Sequence, residues 1–175
     1  MTIATGVQAV SEGSYGRSDE SLWYVHKITG TFGRTLPGSI SEMMPDYGGF
    51  TIGWTSYGIV VPLVQQIFGI EPDALHKSVV FDPHLPTGWH DVTIENLPVG
   101  TNTISFSRAS TRRGIEYEID AKEAGWNFVV RETNVPGAEY YVNGKRISFR
   151  GAGIRMSGRK NHLLVVPTRG QPTGH

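Results

Sequence analysis

Hydrophobic periodicity changes once along this chain, near residues 71–77, and that change limits the folds open to it. Before it, apolar residues recur at spacings of three and four, the period of one helix face. After it they alternate, the period of a sheet with one wet side. In a chain of 175 residues this order of patterns predicts an α+β fold. We expect an N-terminal helical hairpin plus one further helix, followed by an antiparallel β-sandwich. The boundary gives a helical segment, 1–72, and a β-sandwich domain, 73–175.

The first helix is predicted over residues 3–14, with Ile3, Val7 and Val10 as its apolar stripe. It begins almost at Met1, without room for a cap, so the chain reads as truncated, cut into an existing helix. Ser18 is the expected N-cap of the second helix, and Asp19 and Glu20 follow where acids suit the helix dipole. Its stripe is Leu22, Val25, Ile28 and Phe32, with stop signals at Gly30 and Gly33. Residues 34–53 form a Gly-, Pro- and Ser-rich loop, of a length that is often functional. A third helix is expected over 54–68, with Trp54, Val61, Val64 and Phe68 near one face, Pro62 as a kink or first-turn residue, and Gly69 just past the end. Eight strands are expected: 77–81, 91–95, 102–108, 115–121, 127–131, 139–142, 146–149 and 163–166. Asn143-Gly144 is the strongest hairpin signal.

Sixteen Lys and Arg balance sixteen Asp and Glu, so no basic footprint for nucleic acid exists. The absence of Cys excludes a disulfide framework, a Cys-ligated zinc and a thiol nucleophile. No apolar run reaches the roughly 18 residues of a membrane span. No basic n-region with an h-region opens the chain, which leaves the expectation of a cytoplasmic protein with no membrane or nucleic-acid partner.

Known catalytic signatures are sparse. Ser39, Ser56 and Ser157 lack the flanking glycines of a nucleophile elbow, which weighs against an esterase or lipase. No phosphate-binding Gly-Lys-Ser/Thr loop and no His-Glu-x-x-His zinc motif occur. Asp82, His84, His90 and Asp91 lie in a turn-rich linker, which is the better account of them than a metal site. No metal and no cofactor is expected. The 34–53 loop concentrates the remaining chemistry. Glu42 and Asp46 lie four residues apart; as an acid–base pair, mutual repulsion would raise one pKa. Trp54 and Tyr57, with Tyr47 as a weaker candidate, offer aromatic faces that suit the C–H face of a pyranose.

The runs Leu36-Pro-Gly-Ser-Ile-Ser-Glu42-Met-Met-Pro-Asp46-Tyr-Gly-Gly, Trp54-Thr-Ser-Tyr-Gly-Ile, Phe68-Gly-Ile-Glu-Pro-Asp73 and Val79-Val-Phe-Asp-Pro-His-Leu-Pro86-Thr-Gly-Trp89, in this order, resemble the C-terminal end of the six-hairpin glycosidases. That group includes glucoamylases, bacterial α-L-rhamnosidases and debranching-type glucosidases. The resemblance implies the last hairpin of an α/α toroid, its late active-site loop and final helix, and then a small β-sandwich. It also implies that Glu42 is the general base of an inverting glycoside hydrolase. Such chemistry needs a second carboxyl about 6.5–9.5 Å away as the acid. The group draws that acid from an earlier hairpin, to which this chain has no counterpart. The expected activity is hydrolysis or binding of glycosidic substrates. The alternative is a non-catalytic carbohydrate-binding or structural module. A lone hairpin would leave apolar flanks exposed, so a homo-oligomer through the helical surface is also expected.

Overall fold

The computed structural model describes residues 1–34, 36–44, 48–49, 51–131, 137–149, 151 and 153–167. The chain divides into two compact units, Met1–Ile70 with Pro83–Thr87, and Glu71–Asp82 with the chain from Gly88 onward. The change of unit falls at Ile70/Glu71, and residues 83–87 return to the helices.

In the first unit, α1 (Thr2–Ser14) and α2 (Ser18–Thr29) form the expected hairpin. A 3₁₀ turn (Gly53–Ser56), α3 (Tyr57–Val60) and a π-helical segment (Val61–Ile67) make up the stretch expected as the third helix, and the irregularity expected at Pro62 falls where the π segment begins. Pro62 causes the change. It has no N–H, and its ring crowds the carbonyl four residues back. The helix widens, and Phe68 N–H reaches back five residues to Leu63 O at 2.9 Å. Gly69 then leaves the helix with φ +60. No helix is long and apolar enough to cross a membrane among the described residues.

The face that packs is not the apolar stripe read from the sequence. Ile3 and Val10 are half-buried, Val7 is 54% exposed, and Thr2, Gly6, Ala9 and Glu12 are buried. In the third helical stretch Thr55, Gly58, Pro62 and Ile67 are buried, whereas Val61, Val64 and Phe68 are half-buried and Trp54 is exposed. Close approach explains both departures. A Cβ on Gly6 would lie 3.3 Å from Gly58 Cα, and a Cβ on Gly58 would overlap Gly6 Cα. Ser21 Oγ donates to Ala9 O at 2.7 Å, bonding α2 directly to the backbone of α1. On α2 the expected stripe holds for Val25 and Ile28, which are buried; Leu22 is half-buried, and Phe32 lies past the helix end and is exposed. Ser18 is not the N-cap: Arg17 holds that place, and Ser18 Oγ donates to His84 O at 2.7 Å. Asp19 accepts from both the N–H and the hydroxyl of Thr87, each at 2.7 Å. These bonds hold segment 83–87 against the start of α2.

The second unit is a β-sandwich of ten strands among the described residues. These are β1 (Ile70–Asp73), β2 (Ser78–Phe81), β3 (Val92–Val99), β4 (Asn102–Thr111), β5 (Gly114–Ala121), β6 (Asn127–Val130), β7 (Glu139–Val142), β8 (Lys145–Ile147), β9 (Ile154–Ser157) and β10 (Lys160–Val166). One sheet runs β1-β2-β6-β9 and the other β3-β4-β5-β10-β7-β8. The expected antiparallel pairing holds for β3 through β5, β10, β7 and β8, and for β6 with β9. The β2–β6 pair is parallel, an exception within the antiparallel sandwich that was expected. The two sheets meet on aromatic side chains. Phe81 of β2 stacks on Phe106 of β4 with centroids 4.3 Å apart and planes 7° from parallel. Phe128 and Tyr117 extend the cluster, and all four rings are buried. Asn143 and Gly144 have φ 49 and 78, as a type I′ hairpin turn requires. Three of the four outermost strands resist edge pairing: β1 contains Pro72, β3 carries a bulge between Ile94 and Leu97, and β8 is three residues with Lys145 and Arg146.

On the outward face of the large sheet Glu116 is held by three neighbours. It accepts from Thr111 Oγ1 at 2.8 Å and from Arg113 at 3.0 Å, and lies 3.0 Å from His162 Nε2. The Thr111 hydroxyl bond, then that of His162, then Arg113 hold its carboxyl below the usual range. Because the folded pKa is depressed, the ionised form contributes stability above the ordinary Glu value of about 4.3, and that contribution is lost as pH falls through the folded value. Denaturant melts of wild type and Glu116→Gln should therefore differ at neutral pH and converge in acid. A stability difference independent of pH would contradict this. Phe81→Ala removes the ring joining the two sheets and should cost about 3–5 kcal/mol in the same melts; a loss under about 1 kcal/mol would show that the stack is not a central contact.

Candidate functional site

The 34–53 loop is fixed by a short backbone ladder. Ile52 N donates to Ile40 O at 2.8 Å, and Glu42 N donates to Gly49 O at 2.9 Å. The ladder is then attached to α1. Thr2 N donates to Glu42 O at 2.9 Å, and Thr2 Oγ1 donates to Ser41 O at 2.7 Å. Thr2 opens a helix, where backbone donors have no partner within the helix, so the loop supplies the missing acceptor. Ser41 and Thr55 are fully buried beside it, and Thr55 Oγ1 lies 3.4 Å from Thr2 Oγ1.

Glu42 sits half-buried on this ladder. Its Oε2 accepts from Gly49 N at 2.9 Å, while among the described residues Oε1 accepts no hydrogen bond. The carboxylate rests on bare backbone. A Cβ on Gly48 would come within 2.6 Å of Oε2, and Gly48 has φ +53, which a side chain would strain. The result is a carboxylate with one oxygen fixed by an amide and the other available to orient a water. Neither Gly48, Gly49 nor Thr2 stood out in the sequence: the glycines gain their role from Glu42 within the same loop, and Thr2 from bonds to residues about forty positions along the chain.

Trp54 projects from the 3₁₀ turn and is 68% exposed. Tyr57 opens α3 half-buried, its ring edge 3.6 Å from where a Cβ on Gly6 would lie, so it leans on α1. Trp54 lies two residues beyond Ile52, at one end of the ladder, and Glu42 at the other. Asp46 and Tyr47 fall outside the described residues.

Beside the Glu42 backbone is a cavity of about 180 Å³, bordered by Thr2, Thr5, Lys27, Thr31 and Met44 among others. Complete ligand pockets run to roughly 300–1,000 Å³; this space falls short of that, and neither Glu42, Trp54 nor Tyr57 is among the residues that border it. A larger space of about 600 Å³ borders β7 and β8, but its Arg146 is paired with Glu139 at 2.8 Å, and no catalytic candidate lies there.

No second carboxylate of the helical unit reaches Glu42 among the described residues. Glu12 is ten residues along α1 from Thr2, about 15 Å at helical rise, and it is engaged by Arg17 and Gln8. Asp19 is bound by Thr87 at the far end of the hairpin. Of the linker residues, Asp82 faces Arg131 at 3.6 Å and Asp91 accepts from Ser110 N at 3.0 Å. Among the described residues no group of three or more His, Asp or Glu is placed to hold a metal. Ser39 and Ser56 donate to Leu36 O and Gly53 O, as local turn bonds.

No family profile matches the chain, and no curated protein matches it in sequence. Among solved structures, the α-L-rhamnosidase of Dictyoglumus thermophilum is similar to 64% of this chain at 13% identity and a TM-score of 0.49. The chain spans 14% of that enzyme's length.

The Glu42–Gly49 bond predicts how the loop answers to substitution. Glu42→Ala should speed exchange of the Gly49 amide roughly tenfold or more, since a hydrogen bond to a charged group contributes about 1.5–3 kcal/mol. Glu42→Gln retains an oxygen acceptor and should stay within a few fold of wild type. Equal acceleration in both variants, read by NMR, would contradict this geometry.

Proposed function

We propose that this chain belongs to a glycoside-hydrolase-type protein in which Glu42 is the general base of an inverting reaction. The reading rests on one observation: a half-buried carboxylate on the late loop, one oxygen held by Gly49 N–H and the other without a partner among the described residues. It is supported by the order of the runs around Leu36, Trp54, Phe68 and Val79, which resembles the end of a six-hairpin glycosidase.

In this mechanism a water lies against Glu42 Oε1. As the water oxygen attacks the anomeric carbon, its proton passes to Glu42, and the bond to the leaving oxygen breaks on the opposite face. The Gly49 N–H keeps the carboxylate from turning away. Trp54 offers an apolar face to the sugar ring. The acid that protonates the leaving oxygen comes from residues beyond those described here, or from a second polypeptide.

A leaving group that departs as a stable anion needs no acid, so it isolates the base. Against 2,4-dinitrophenyl glycosides of both anomeric configurations, wild type should release dinitrophenolate, and Glu42→Gln should be slower by roughly 10²–10⁴-fold. Equal rates would overturn the assignment. Among the described residues no second carboxylate lies near Glu42, and this favours a second reading, a non-catalytic carbohydrate-binding or structural module. That reading predicts no turnover and sugar binding unchanged by Glu42→Gln.

A further inference from the structure

We propose that the outward face of α2 is a self-association surface, on which a second copy of this chain docks antiparallel about a two-fold axis at Trp23. The inference does not depend on the role of Glu42. On α2 the exposed positions are Asp19, Glu20, Trp23, His26 and Lys27, while Ser21, Val25 and Ile28 are buried. This exposed set is symmetric about position 23, with 19 matched to 27 and 20 to 26. The symmetry extends to charge, because both residues on one side are acidic and both on the other are basic. Two such helices crossing antiparallel at Trp23 therefore set each acidic end against the other copy's basic end. The spacing suits the contact, since Asp19 and Lys27 are eight residues apart, about 12 Å along the helix.

The helix dipole alone would favour acids at the start of α2 and bases at its end. It does not account for a tryptophan left bare between them. Trp23 is 53% exposed, yet its ring is already fixed. Tyr24 meets it edge-on with centroids 4.8 Å apart, and Lys27 Nζ lies 4.5 Å from its centroid. A large aromatic held rigid in the free protein loses little entropy on binding and is the commonest kind of interface anchor. Glu20, His26 and Lys27 have no ion-pair partner among the described residues, so they remain available. Asp19 is occupied by Thr87, which places most of the acidic contribution on Glu20. In an isologous contact every pair occurs twice, so each substitution counts twice. A single helix face makes a small interface, and the dimer should be weak and salt-sensitive.

Sedimentation equilibrium of the full 175-residue chain tests this. Wild type should show reversible dimers that weaken as salt rises. Glu20→Lys and His26→Glu should each weaken self-association by roughly tenfold, as the attraction between positions 20 and 26 is lost or reversed at two symmetric places. An equimolar mixture of the two variants should recover dimers, because the charge introduced at position 20 of one copy then faces the opposite charge introduced at position 26 of the other. Trp23→Ser should abolish dimers, with circular dichroism confirming that the helices are retained. A wild-type chain that stays monomeric to its solubility limit, dimers indifferent to Trp23→Ser, or a mixture that recovers nothing would overturn the proposal.

Discussion

The hydrogen bonds that Thr2 and Gly49 make to Glu42 determine where the long loop lies. A segment of this length without a helix or strand of its own buries little apolar surface and would otherwise open readily. Here a helix start with unsatisfied donors meets a loop with acceptors to offer, and the backbone ladder between residues 40–42 and 49–52 closes the arrangement. Glu42 takes part in both through its main chain, and its side chain closes a third contact. The glycine at 48 and the carboxylate at 42 are thus one feature, because a side chain at 48 would displace the oxygen it supports.

The helical unit combines small residues at its closest approaches with a few buried branched ones. Gly6, Ala9, Ser21 and Gly58 lie where backbones meet, while Val25, Ile28, Ile40 and Ile67 are also buried. Several larger residues are nevertheless turned outward. Val7, Trp23, Phe32 and Trp54 are all exposed on this unit. In the sandwich, Phe81, Phe106, Phe128 and Tyr117 fill the space between the sheets.

Much of the architecture was legible from periodicity and turn chemistry. The strands around Phe106 and Tyr117 alternate cleanly, and Asn143-Gly144 makes the turn its residues favour. The helical hairpin was legible in extent but not in orientation. Apolar spacing on α1 pointed to Ile3, Val7 and Val10, whereas glycine-to-glycine approach decided the packed face, and that depends on a partner helix fifty residues away. β1 was hidden because Pro72 and the flanking charges resemble a linker. β9 was hidden because only Ile154 and Met156 mark its buried side. At the candidate site the acid was readable as an acid, and its loop as a loop. The Thr2 contacts were not, because bonds between residues about forty positions apart leave no trace in local composition, and the Gly48–Gly49 cradle was not, because it depends on how the loop turns back on Glu42.

As the proposed general base, Glu42 would direct water to the face opposite the leaving group, and the stereochemistry of the first-formed sugar tests this most directly. Proton NMR of the fresh product from a 2,4-dinitrophenyl glycoside should show the anomer opposite to that of the substrate, before mutarotation mixes the two. A product of retained configuration, or no product beyond that formed with Glu42→Gln, would contradict the assignment.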